Sequence, residues 1–261
     1  MKAINRMSPS HPVRRASLRA VNGVMNVFSF HLAACGIATT LRAVALPPTS
    51  RTVPGLVHAE CLVPMTLGQP VALPSRYRPH QIAVFAAWQG EAAIEEFFHS
   101  CSLGHALAAG WHVRMEFVRR WGSVRALDGL PLVAREHGDD QPVVAVTLAR
   151  LRISQAFRFV RWGKPVEEQV RDNPATTIAL AATRPIGTLS TFSIWRTQRA
   201  MTDMVHGRSS APSAKRHARA MVERNRKDFH HEFTTLRFRP MSEHGTWEGR
   251  DRLLPTMNNE P

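Results

Sequence analysis

The chain has 261 residues, 44% of them hydrophobic, with 34 Lys and Arg against 20 Asp and Glu, a formal charge of +14 and three cysteines. This length and apolar content leave room for one or two domains with sizeable cores, and exclude a disordered chain or a stapled mini-protein. Cys35, Cys61 and Cys101 are an odd set without metal-type spacing, which excludes a disulfide framework and a zinc site and fits a reducing, cytoplasmic setting with peripheral membrane association at most.

No Asp or Glu precedes Glu60, and Lys2, Arg6, Arg14, Arg15 and Arg19 lie ahead of an apolar stretch from Val21 to Leu46. That order imitates a secretory signal. Asn22, Asn26, Ser29, His31 and Arg42 interrupt the stretch, so it reads neither as a signal nor as a membrane span, and residues 1–23 read as a disordered basic tail. Only four of the basic residues are Lys, and the arginines are spread along the whole chain, so the charge does not describe a nucleic-acid face.

Two matches within the chain organise the rest. Residues 30–44 align without gaps on residues 146–160, with Leu32/Leu148, Ala33/Ala149, Ile37/Ile153, Arg42/Arg158 and Val44/Val160 identical. Residues 82–88 align on 189–195, pairing Phe85 with Phe192 and Trp88 with Trp195, and the match extends to His99/His206. Recurrence in the same order points to two units, residues 24–131 and 142–249, followed by a polar end from 250 to 261.

The second unit is the clearer. Val143 to Leu151 is a β-branched apolar run after Gln141-Pro142, hence a strand. Ser154 is placed to cap a helix through Val170, with Ala156, Phe157, Val160 and Trp162 on its apolar face. After the turn Asp172-Asn173-Pro174 come strands Thr176 to Ala182 and Thr188 to Trp195. Arg196 to Glu223 reads as helix broken at residues 207–212, and Phe233 to Met241 alternates as a half-buried strand. His230 and His231 are expected in an exposed polar turn. Trp195 and Trp88 suit core positions at strand ends. The order β-α-β-β-α-β is the ferredoxin-like plan. The expected fold class is therefore α+β, two tandem ferredoxin-like units whose sheets close into a pseudo-dimeric α+β barrel.

Phe192-Ser-Ile-Trp195, the following helix, and Phe233-Thr-Thr-Leu-Arg-Phe238 leading into Gly245-Thr-Trp247-Glu-Gly249 resemble the spheroidene monooxygenase family, within the dimeric α+β-barrel group that includes antibiotic-biosynthesis monooxygenases. The resemblance covers residues 140–250 and implies a haem-containing oxygenase. The family's pattern puts a histidine inside the helix after Phe-Ser-Ile-Trp, and His217 is the match, with His206 in reserve. On this reading His217 holds the iron, Arg216, Arg219 and Arg224 meet the propionates, and Phe192, Ile194 and Trp195 line the apolar wall. His105 is the first unit's counterpart of His217.

The chain has no Gly-x-Gly-x-x-Gly, Walker, His-Glu-x-x-His or Gly-x-Ser-x-Gly motif, and no Cys-x-x-Cys-His for covalent haem. The expected activity is oxygenation of a hydrophobic small molecule, a carotenoid or another secondary metabolite, with molecular oxygen and an electron-donating ferredoxin or reductase as partners. No catalytic residue is assigned. The competing readings are a cofactor-independent monooxygenase of the antibiotic-biosynthesis type and a non-catalytic ligand-binding protein of the same fold.

Overall fold

A computed structural model describes residues 27–185, 187–208 and 213–255. The basic tail, residues 209–212 of the expected helix break and residues 256–261 lie outside the described residues.

The first half runs β1 (Val27–Ala34), α1 (Ile37–Ala45), β2 (Leu56–Met65), β3 (Gln81–Trp88), α2 (Glu91–Ser100), α3 (Ser102–Ala109) and β4 (Trp111–Ser123). The second runs β5 (Val143–Leu151), α4 (Ala156–Arg171), β6 (Thr176–Arg184), β7 (Thr188–Trp195), α5 (Gln198–His206), α6 (Arg216–Arg226) and β8 (His230–His244). The strands close in the order β1-β3-β2-β6-β7-β5-β8-β4. Each half contributes a four-stranded antiparallel sheet, joined at the β2–β6 and β4–β8 seams, so the α+β barrel expected from the sequence is the fold.

The seams differ in length. β4 and β8 pair from His112↔His244 to Ser123↔Phe233, whereas β2 and β6 pair only through Val63↔Thr183, Pro64↔Ala182 and Met65↔Ala181.

Side chains alternate along each strand between the lumen and the helices. The lumen is filled by Phe28, Phe30, Phe85, Phe117, Phe192, Phe238 and Trp111, all buried. Val124 and Leu127 plug the end beyond β4, and Leu253 with Trp247 plugs the other. The interior is a packed core rather than a ligand chamber.

Outside the barrel the two helix layers differ. Beneath α1–α3 the first sheet buries Val84, Cys61, Ala86 and Trp88 against Ile94, Phe97, Phe98 and Leu107. Beneath α4–α6 the corresponding buried cluster is Val143, Trp195, Met201 and Met204.

Three local expectations are corrected. Ser154 does not cap α4: a single 3-10 turn, Ile153–Gln155, leads into it and Gln155 is the cap residue, without a side-chain hydrogen bond. Phe157 is 81% exposed, because α4 turns its inner face through Phe159, whose ring meets those of Phe229 and His230. His230 is not in an exposed turn: it begins β8 and is buried beside Phe233, while His231 is exposed, as opposite faces of a strand require.

Candidate functional site

The helix layer of the second half carries the candidate site. Phe192 and Ile194 point into the lumen, so Thr191, Ser193 and Trp195 face the helices. Trp195 anchors α5 through Met201 and Met204 and donates Nε1–H to Ser193 Oγ at 2.8 Å.

Thr191 sits in the middle of β7, flanked by β5 and β6, yet it is exposed. Its neighbours on this face are small: Thr147 across β5, Ala181 across β6, and Thr235 beyond Thr147 on β8. The matching residue in the first half is Val84, 2% exposed beneath tightly packed helices. The second half therefore leaves open a sheet position that the first half buries.

α4, α5 and α6 form the helix layer of this half, and a polar residue overlooked in the sequence fixes the start of α6 on α4. Gln169 of α4 donates Nε2–H to the Ala214 carbonyl at 2.9 Å, and its Oε1 accepts the His217 backbone N–H at 2.9 Å. A helix start leaves its first N–H groups without intrahelical partners, and Gln169 supplies one where Lys215 makes no side-chain cap. Arg158 ties the far ends of the same helices through Glu223. The only sequence signal for Gln169 was a polar residue within the apolar stripe of α4.

His217 lies at that junction. Its Nδ1 is 3.0 Å from the Val205 carbonyl, and a carbonyl only accepts, so the proton is on Nδ1 and Nε2 keeps its lone pair. No described residue hydrogen-bonds Nε2. Burial pushes the imidazole pKa down, with the Val205 hydrogen bond opposing and the charge of His206 adding to the fall. His217 is therefore neutral at pH 7, with one ring nitrogen oriented and the other available as a ligand.

The other residues singled out by sequence are only partly assembled. Arg216 pairs with Glu168 at 3.0 Å, and Arg224 lies 3.9 Å over the Phe233 ring and 3.6 Å from Asp228. Arg219 is exposed beside a cavity of about 350 Å³ lined by Trp162, His206, Lys215, Ala218 and Val222. His206 is exposed at the end of α5, with Nδ1 2.8 Å from the Thr202 carbonyl of its own helix. Gly207 then closes α5 at φ 68°, a left-handed conformation that favours glycine. His105 is exposed on α3. Phe192 and Ile194 are not gathered with His217: both face the lumen, where Phe192 stacks on Phe30.

A second polar cluster closes the lumen beside the β5, β6 and β7 ends. Glu60, 1% exposed, pairs with Arg150 and lies 3.1 Å from both Arg184 and His58. Burial raises its pKa, but the His58 hydrogen bond and the two guanidiniums outweigh that and hold the carboxyl at about 2. This ion pair joins the halves across the seam. A lone acid within the apolar run Leu56–Met65 was its sequence signature.

No protein-family model matches the chain. Over 112 residues the chain is 34% identical to spheroidene monooxygenase of Rubrivivax gelatinosus, covering 42% of this chain and 40% of that protein. It is homologous to that enzyme over this stretch and spans less than half of its length. Among solved structures, an aldoxime dehydratase with butyraldoxime bound superposes with a TM-score of 0.54 at 10% identity, over 87% of this chain and 84% of the other. A ferredoxin-fold protein of Listeria monocytogenes related to antibiotic biosynthesis monooxygenases matches with a TM-score of 0.28 at 12% identity, over 82% and 95% of the two chains. The aldoxime dehydratase likeness establishes a shared fold. No helix among the described residues is long and apolar enough to cross a membrane.

Proposed function

We propose that the chain is a haem-dependent, monooxygenase-like enzyme that oxygenates a hydrophobic small molecule, with His217 as the iron ligand. The observation that carries this reading is the His217 imidazole: neutral, its Nδ1–H committed to Val205 and its Nε2 without a hydrogen-bond partner among the described residues. The 34% identity to spheroidene monooxygenase supports an oxygenase and a carotenoid-like or other apolar substrate.

The donor at His217 suits haem iron. A nitrogen ligand with an oriented second-shell carbonyl suits iron, and a floor of Thr147, Ala181, Thr191 and Thr235 leaves room that larger side chains would fill. Haem, when bound, supplies oxygen activation, and its electrons come from a ferredoxin or reductase. The protein's own residues do the rest. Val205 fixes the His217 tautomer, Gln169 fixes the start of its helix, and Arg219, without a carboxylate partner among the described residues, is the guanidinium left to meet a propionate. The low, neutral side chains of the floor position an apolar substrate by shape.

Protein purified from haem-supplemented cells is expected to show a Soret band. His217→Ala is expected to abolish it and His206→Ala to leave it. Colourless protein that takes up no haem on reconstitution overturns the reading, and loss of the band only in His206→Ala moves the ligand to His206.

A further inference from the structure

The short β2–β6 seam leaves a second, separate opening in the barrel. β2 ends at Met65↔Ala181, and the edge of β6 from Thr176 to Leu180 has no strand partner on that side among the described residues. A cavity of about 320 Å³ occupies the gap, near the lower end of the range typical of small-molecule sites. It lies on the edge of β6 away from β7, and neither Thr191 nor His217 lines it.

Its lining combines two chemistries. Ile178, Leu180 and Trp247 give it an apolar wall, and Arg78, Arg171 and Arg250 project around it. Arg171 is occupied, by Asp172 and by the Leu67 carbonyl. Arg78 donates Nε–H to Thr66 Oγ1 at 3.2 Å and pairs with Glu248 through Nη1, leaving Nη2 available. Arg250 donates Nη2–H to the Thr177 carbonyl at 2.7 Å and has no carboxylate partner among the described residues. Among the described residues Glu248 is the only acid lining the cavity, against three guanidiniums.

The wall carrying Trp247 and Arg250 is held in an unfavourable conformation. Trp247 and Arg250 bridge across a two-residue turn in which Glu248 has φ 51° and Gly249 φ 75°. Such turns favour Asn-Gly or Gly-Gly, and Glu248 is the only non-glycine residue among those described with a positive φ. Strain of this kind persists where surrounding contacts over-determine it, and it concentrates at ligand sites. Here it places an indole and a guanidinium on the same cavity.

We propose that this cavity binds a small amphipathic carboxylate, its apolar body against Ile178, Leu180 and Trp247 and its carboxylate on Arg78 and Arg250. Guanidinium pairs with carboxylate through parallel N–H donors, and both arginines keep free donors for it.

Sodium octanoate and octan-1-ol are the probes, titrated into the full chain by calorimetry and by tryptophan fluorescence. Octanoate is expected to bind once per chain and octanol at least about tenfold more weakly. Arg250→Gln and Arg78→Gln are each expected to weaken octanoate roughly tenfold or more, the loss of one charge-assisted hydrogen bond. Trp247→Phe is expected to remove the fluorescence change while the heat persists. His217→Ala is expected to leave octanoate binding intact, which separates this site from that of His217. If Arg250→Gln does not fold, Arg78→Gln carries the test. Absent binding at millimolar octanoate, equal binding of octanol, or binding indifferent to the arginine substitutions overturns the proposal.

Discussion

Phe30 of the first half and Phe192 of the second lie face to face in the lumen, ring centroids 3.8 Å apart and planes at 14°. Both are almost wholly buried, so this contact welds the sheets at the barrel's centre. Phe192→Ala is expected to cost about 3–5 kcal/mol, the range for deleting a buried phenyl ring. Denaturant unfolding measures it. Because Phe192 faces away from His217, the protein that remains folded is expected to take up haem like the parent.

Thr191 offers the opposite case. It is exposed, so Thr191→Trp is expected to change stability by no more than about 0.5 kcal/mol, while an indole rising from this face of the sheet takes up the space around it. Haem uptake is expected to fall with no matching fall in melting temperature. Unchanged uptake would place the cofactor elsewhere.

Glu60→Gln removes the carboxylate shared by Arg150 and Arg184 and leaves two partly buried guanidiniums without their acid. The expected cost is about 3 kcal/mol, typical of breaking a buried ion pair from one side. Glu60 is held at about 2, below its ordinary value of 4.5, so its contribution is full above about pH 4.5 and is lost as pH falls toward 2. Parent and variant are therefore expected to converge in stability at low pH. Parallel curves would show that Glu60 does not act through its charge.

His112 and His230 act over a higher range of pH. Burial holds His112 at about 4, helped by the charges of His244 and Arg114. Burial likewise holds His230 at about 4, helped by Arg224 and opposed by Asp228. A histidine lowered in the folded state binds its proton first in the unfolded chain, so stability is full above about pH 6.5 and is lost as pH falls toward 4. Each group contributes a slope of at most about 1.4 kcal/mol per pH unit. Guanidinium midpoints between pH 7 and 4 measure it, and His112→Gln is expected to flatten the curve.

Strand content was legible because alternation and turn residues are local signals. Val143–Leu151 and Thr188–Trp195 are read from the sequence to the residue, and Phe85 and Phe192, aligned with each other in the sequence, both face the lumen. His217 was found only through the family pattern, and what suits it to a ligand's role comes from Val205 and Gln169, brought to it by tertiary packing. Phe192 and Ile194 look like cofactor contacts in sequence because they neighbour Trp195, but strand alternation sends them to the other face. The exposure of Thr191 is invisible in sequence, since it depends on how the helices cover a floor of ordinary small residues. The misread Phe157 and His230 share one cause: hydrophobicity and polarity state what a side chain prefers, and the angle at which α4 crosses the sheet decides what it meets.

The contrast between Val84 and Thr191 carries a consequence for how such a molecule diversifies. In a barrel assembled from two identical chains, every substitution is made twice, and opening a cleft on one side opens it on the other at double the loss of core. Here both halves are encoded in one chain. One side is free to remain a rigid buttress while the other gives up packing for access, so inequality between the halves is heritable.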